Sequence, residues 1–269
     1  MDIDDILASV DRGAGASPES TALDHQQLTR FWVAERAVSE VLPWPAPLME
    51  RVMDRVRMQI ETIEDLASSS GDTGTPTNAT HNPNLNLRLS ILQTDLARTQ
   101  YIIRSLLRQR LAKLTKHSMH YLVQLASRSK SPFSQSQSQS QSQNPNMMPE
   151  DSVPDISAVD NVSPLSEQES SFVHAHQTLL AGHYGGSFMG SFPRTLRRLD
   201  DNAGGTSMVQ GPETKEVVFA RCLGVEVPVF VGGEDGEEEV GVTMRMGDVW
   251  VVRWEGVRRA WERGEVELL

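Results

Sequence analysis

The residues best equipped for chemistry are few and scattered. His174 and His176 stand two apart, with His183 farther on. Side chains at i and i+2 point to different faces of a helix. A tetrahedral metal site needs converging ligands, and no cysteine lies nearby to complete a set. His117 and His120 are three apart, a workable spacing, but His117 falls on an apolar stripe and is expected to be a packed histidine. Cys222 is the sole cysteine. It lies close to Val217, Val218 and Phe219, which marks it as a buried structural thiol. One cysteine allows no intramolecular disulfide, which points to a reducing compartment. The chain has no Gly-x-Ser-x-Gly elbow and no Gly-x-x-x-x-Gly-Lys phosphate loop. Gly185-Gly186-Ser187 and Gly204-Gly205-Thr206 read as ordinary loops. The expectation is no catalytic set, no metal and no cofactor.

Charge offers a second kind of chemistry. Arg98, Arg104, Arg108, Arg110, Lys113 and Lys116 form a basic stretch within one helical pattern. They spread around the helix, as a solvated collar does, with a DNA or polymerase contact as the other reading. Arg110 differs, because it falls on the apolar stripe. A buried guanidinium needs a carboxylate or carbonyl partner. Glu234, Asp235, Glu237, Glu238 and Glu239 read as a solvated hairpin loop, with acidic docking as the alternative. The net charge of −11 argues against a broad nucleic-acid surface, which requires clustered Lys and Arg.

The elements that must position these residues follow from patterning. Apolar residues make up 38% of the 269 positions, below the roughly 45–50% of an ordinary globular chain, as expected of folded domains diluted by linkers. Residues 1–23 read as a flexible N-terminus and 24–128 as a helical domain. Leu28 to Leu66 carries two helices broken at Pro43-Trp44-Pro45-Ala46-Pro47, since proline ends a helix. Residues 68–84 read as a loop from their Ser, Gly, Thr, Pro and Asn content. From Leu85 to Leu125 apolar residues recur at spacings of three and four, predicting a single helix roughly 60 Å long. Its apolar arc is too wide for this chain's other helices to cover, so a partner subunit is the natural second cover.

Residues 129–163 read as a disordered linker centred on the Ser-Gln alternation of Ser134 to Gln143. Deleting Ser134 to Gln143 should leave assembly and helicase activation nearly unchanged, because loop-closure entropy varies slowly with length. Residues 164–200 supply further helices. Ser166 and Glu169 form a capping-box pattern that opens one running to about Ala181, and a shorter one is expected near Pro193 to Leu199. Residues 208–269 form a small β-domain. Its short β-branched runs are Val217 to Cys222, Val225 to Val231, Val240 to Arg245 and Val249 to Trp254. A helix over Arg253 to Arg263 and a closing strand Val266 to Leu269 follow. The fold class is therefore α+β, mainly α. Met1-Asp2-Ile3-Asp4-Asp5 lacks the positive charge and apolar stretch of a signal peptide. No run approaches the roughly 20 apolar residues of a membrane span. The chain reads as soluble and intracellular.

Several of these segments resemble a known family. Trp32-Val33-Ala34-Glu35-Arg36 followed by Leu42-Pro43-Trp44 is similar to the first helix and turn of the Sld-five-type GINS subunit. Ile103-Arg104-Ser105-Leu106-Leu107-Arg108-Gln109-Arg110-Leu111-Ala112-Lys113-Leu114 resembles its long central helix. Leu199-Asp200-Asp201, then Met208, Pro212 and Val218-Phe219-Ala220-Arg221, resembles the passage into its β-domain. Gly247-Asp248, Val251-Val252-Arg253-Trp254, Val257-Arg258 and Gly264 to Leu269 resemble its ending. The match is collinear; the 68–84 loop and the Ser-Gln linker depart from it between motifs.

This resemblance implies a nuclear, non-enzymatic scaffold subunit of a heterotetramer with three other GINS subunits. That tetramer joins the minichromosome maintenance helicase ring and its activating cofactor in DNA replication. Contact with the replicative polymerase is left open, DNA contact is indirect or weak, and no membrane is involved. The residues placed at partner interfaces or in structural roles are Trp32, Glu35, Arg36, Ile103, Arg104, Leu107, Arg110, Leu114, Phe219, Trp254, Leu268 and Leu269. A generic coiled-coil adaptor unrelated to replication remains as an alternative reading, with a hydrolase less favoured.

Overall fold

The computed structural model describes residues 18–71, 83–129, 153, 164–193, 197, 209–231 and 240–269. The helices are α1 (Pro18–Ala37), α2 (Ala46–Gly71), α3 (Pro83–Lys116), α4 (Ser118–Ser129) and α5 (Glu167–Ser187), followed by a 3-10 turn at Met189–Ser191. Strands β1 (Val217–Cys222), β2 (Glu226–Val231), β3 (Val240–Arg245) and β4 (Val249–Arg253) follow, then α6 (Trp254–Glu262) and β5 (Val266–Leu268). The fold is α+β and mainly helical. Among the described residues no helix is long and apolar enough to cross a membrane.

Several boundaries differ from the sequence reading. The first helix opens at Pro18, not Leu28, and α2 runs on to Gly71, into the stretch read as loop. Composition underestimates such ends because capping and packing extend a helix past its apolar pattern. The helix read as continuous from Leu85 to Leu125 is two helices that part at His117. Backbone bonds from His117 to Lys113 (3.0 Å) and from Tyr121 to His117 (3.2 Å) still bridge the break, which explains why the periodicity hid it. Polar tertiary bonds sit at the junction: Ser118 Oγ donates to Gln177 Oε1 at 2.8 Å, and His117 Nδ1 lies 3.1 Å from the Gln210 carbonyl. The helix opening at Ser166 has its capping box formed in both directions but runs to Ser187 instead of Ala181. Residues 18–23, read as the end of a flexible N-terminus, are helical in α1, while the rest of that stretch, the Ser-Gln tract, the acidic run 234–239 and most of the helix expected near Pro193 to Leu199 lie outside the described residues.

Contacts divide the described chain into two units. The first takes 18–34 and 45–107; the second takes 35–44 and most of 108–269. In the first unit Leu28, Leu48, Met49, Val52, Val56, Leu92, Ile102 and Leu106 are buried. Asp24 is bound by Arg51 (2.9 Å) and Arg55 (2.8 Å). Hydrogen bonds from Arg51 hold its carboxyl below the ordinary 3.8, against the opposing effect of burial, with the charges of both arginines adding to the lowering. A lowered folded-state value means stability that is present above the unfolded pKa and lost as pH falls through the folded one. Asp24→Asn should therefore flatten the acid limb of this unit's stability below about pH 4, read as the urea midpoint against pH.

The second unit's helical core gathers Val41, Leu114, Tyr121, Leu122, Leu125, Leu165 and Val173. Its β region holds a three-stranded sheet in the order β4-β1-β5 and a two-stranded β2-β3 ribbon. In the antiparallel β1–β4 pair Phe219 stands opposite Val251. The amphipathic α6 buries Trp254, Val257 and Ala260, at the three-residue spacing of one helix face. Gly264, at φ 75, turns the chain out of α6 into β5 in a left-handed conformation that favours glycine.

Candidate functional site: a polar hub on the connector between α1 and α2

The turn between α1 and α2 has no secondary structure to satisfy its own backbone, and prolines at 43 and 45 hold it out of helix. Its polar groups are taken up one by one by other elements of the second unit. Arg110 donates from Nη1 to the Leu42 carbonyl at 2.7 Å. Lys113 donates to the carbonyls of Glu35 (2.5 Å) and Glu40 (2.8 Å). The Val41 amide donates to the Tyr121 hydroxyl at 3.0 Å, and the Trp44 amide to the Pro164 carbonyl at 2.9 Å.

Beneath the connector lies a charge cluster in which Arg110 and Glu35 are fully buried, with Glu169 and Lys113 nearer its edge. Arg110 is 0% exposed. Its Nε and Nη2 grip Glu169 at 2.6 and 2.8 Å in a bidentate pair, and Nη1 reaches Glu35 at 3.0 Å. The guanidinium also lies 5.1 Å from the centre of the Trp44 ring, within cation–π range. Lys113 completes the cluster on Glu35 at 2.7 Å. Two cations face two carboxylates, so the cluster is neutral as a whole, the condition under which buried charge is tolerable. Burial opposes the Arg110 charge, but the bonds to Glu169 and the charge of Glu35 outweigh it and its pKa is raised. Lys113 is held below its ordinary value by burial, with Glu35 opposing the shift and Arg110 adding to it. Burial likewise pushes the Tyr121 hydroxyl up to about 12, so it stays neutral as the acceptor for Val41.

The connector's side chains hold the β region. Ser39 donates from its hydroxyl to Glu216 at 2.6 Å and from its amide to the same carboxylate. Glu40 accepts the Trp254 indole N–H at 3.1 Å and an Arg258 N–H at 3.0 Å. Beside them, Gly211 packs so closely on His120 that an added Cβ would stand 2.9 Å from its ring.

The sequence candidates separate into distinct fates. Glu35, Arg110, Leu114 and Trp254 converge on this hub or the core beside it. Arg110 finds its carboxylates inside its own chain, so its burial does not require a partner subunit. Trp32 donates to Ser105 Oγ at 2.9 Å and stands edge-on to Tyr101, while Ile103 is buried in the first unit. Leu107, placed on the stripe, is 36% exposed, whereas its neighbour Leu106 is fully buried. Arg36 and Arg104 are exposed. Leu268 is buried in β5, and Phe219 and Leu269 are exposed. Phe219 shares the outer face of its sheet with Val217, Val249 and Val251, all at least half exposed. Cys222 is buried, and burial raises its thiol pKa, which fits a structural role. No group of three or more metal-capable side chains occurs among the described residues.

Sequence reasoning missed Lys113, read as part of a collar, and Glu169, read only as a cap. It also missed Ser39, Glu40 and Glu216. For the carboxylates of the cluster a signal existed. Glu35 lies seven residues after Leu28 and three before Val38, on the apolar face of α1. Glu169 opens the stripe that Val173, Gln177 and Ala181 continue along α5. A charge lodged in a buried stripe needs an opposite charge lodged in another.

Known proteins match the chain along its whole length. Residues 57–188 match the family described as GINS complex protein helical bundle domain. Residues 212–269 match DNA replication complex GINS protein SLD5 C-terminus. The DNA replication complex GINS protein SLD5 of Chaetomium globosum is 35% identical over 270 residues, spanning all of both chains. That of Yarrowia lipolytica is 29% identical over 98% of this chain and 84% of its own. That of Schizosaccharomyces pombe is 26% identical over 91% and 92%. With both modules matched in order and a relative aligned from end to end, the chain belongs to the SLD5 family of DNA replication complex GINS proteins.

Proposed function

We propose that this chain is a non-enzymatic scaffold subunit of a heterotetrameric GINS complex. It assembles with three other GINS subunits in the nucleus. Through that tetramer it joins the minichromosome maintenance helicase ring and its activating cofactor to start and sustain replication. The end-to-end alignment with a protein named as a GINS replication subunit carries the reading. Two structural features support it. The buried charges of the hub are spent on one another and on the connector backbone, an arrangement that holds shape. The sheet face of Phe219 and Val251, and Tyr101 and Leu179 elsewhere, leave large apolar side chains in water, where contiguous apolar surface marks protein interfaces. A generic helical adaptor would explain the helices but not the ordered pairing of helical and β modules.

Expressed alone, the chain should self-associate or precipitate. Co-expressed with the other three GINS subunits, it should elute as one assembly of equal stoichiometry. Size-exclusion chromatography with light scattering reads both outcomes. A monodisperse monomer with a sharp cooperative unfolding transition, indifferent to the other subunits, would overturn the reading.

A further inference from the structure

The connector between α1 and α2 is gripped from two sides by different elements. On one side Arg110, Lys113 and Tyr121 bind its backbone at Leu42, Glu40 and Val41. On the other, Ser39 and Glu40 hold Glu216, Trp254 and Arg258 of the β region. The positions of the Ser39 amide and of the Glu40 carboxylate thus depend on how firmly the helices fix the backbone of Glu40, Val41 and Leu42. We propose that the connector is a coupling latch: the seating of the β region is set by the bonds that Arg110 and Lys113 of α3 and Tyr121 of α4 make to the connector backbone.

The physical case rests on geometry. A charge-assisted bond to a carboxylate weakens steeply when its donor is displaced or misaligned. Ser39 offers two donors to one carboxylate, and that pairing requires its backbone and side chain to be presented together. The entry segment of the β region depends on the same seat. The Glu216 carbonyl accepts the Trp254 amide at 2.9 Å and the Thr214 carbonyl accepts the Glu255 amide at 3.1 Å, so the start of α6 is pinned to residues that the latch holds. Loosening the connector should therefore be felt at Trp254 and Glu255 before it is felt in the helical core. The inference does not depend on the proposed replication role; it concerns how the chain holds itself.

Amide hydrogen exchange on the full-length chain, in whichever assembly it purifies, tests the latch. Tyr121→Phe keeps the packed ring and removes only the hydroxyl that receives the Val41 amide. Ser39→Ala removes one donor to Glu216 directly. Both should raise exchange at the Trp254 and Glu255 amides by about tenfold, with the amides around Leu122 and Val173 unchanged. If Ser39→Ala raises it and Tyr121→Phe does not, the β region is seated locally and the coupling is refuted. A rise spread evenly through α4 and α5 in Tyr121→Phe would mean general loosening and would also refute it. No change in either variant would show that the connector does not hold the β region at all.

Discussion

Replacing Arg110 by alanine should destabilise the second unit by about 3–5 kcal/mol, the cost of stranding buried charge. The loss comes less from the bonds themselves than from what they leave behind. Glu169 keeps only the Ser166 amide at 3.0 Å, and Glu35 keeps Lys113. Both carboxylates then sit in a largely buried site with one cation for two anions. The Leu42 carbonyl also loses its donor, which frees the connector. Arg108, two residues away on the exposed side of α3, is the control, and its alanine variant should stay within about 0.5 kcal/mol of wild type. Urea denaturation followed by circular dichroism distinguishes them. Equal small effects would show that the cluster contributes nothing net and that Arg110 can reach water. Because buried pairs are often neutral against apolar replacements of similar volume, Arg110→Met should cost as much as alanine while the carboxylates remain. Replacing Glu35 and Glu169 together with Arg110 by apolar residues should recover part of the loss.

Removing Glu265 to Leu269 should unfold the β region while the helical core of the second unit persists. The deleted segment carries Val266 and Leu268, both buried, each worth about 1.5–3 kcal/mol. It also carries the Glu265 carbonyl, which accepts the amides of Leu223 and Gly224 at 2.8 and 3.1 Å, and the Leu269 amide, which donates to Phe219 at 3.0 Å. Without β5 the sheet in the order β4-β1-β5 keeps one pair and exposes β1 as an edge. A module of about 60 residues has little reserve against such a loss. The helical core of Tyr121, Leu122, Leu125 and Val173 is built from other residues. Limited proteolysis should show a protected fragment beginning near Val209 in the full chain and none in the truncated one. Equal protection in both would mean that β5 decorates a sheet already stable without it.

The order and type of the elements were legible in the sequence. Short β-branched runs separated by glycines became β1 to β4 nearly residue for residue, because β-branched side chains favour strands and glycine turns interrupt them regardless of what packs on them. The capping box at Ser166 and Glu169 formed as read, since its reciprocal bonds are local. The closing strand buried Val266 and Leu268 and exposed Leu269, as alternation requires. Arg110 on an apolar stripe announced that a buried cation needed a partner.

Only the tertiary structure decided which partner. Glu35 and Glu169 lie 75 and 59 residues from Arg110 in sequence, and no local spacing encodes a meeting over that distance. The break at His117 was hidden because backbone bonds bridge it and the apolar period continues across it. Leu106 is buried while Leu107 is not because a stripe with apolar residues beside it fits two helix rotations, and only the neighbouring elements choose one. The connector's role was invisible for the same reason. Ser39, Glu40 and Glu216 look like ordinary surface residues until the fold brings a carboxylate to each donor. Periodicity and capping are short-range physics, and a sequence displays them directly. Charge pairing across a core depends on which surfaces the folded chain brings together.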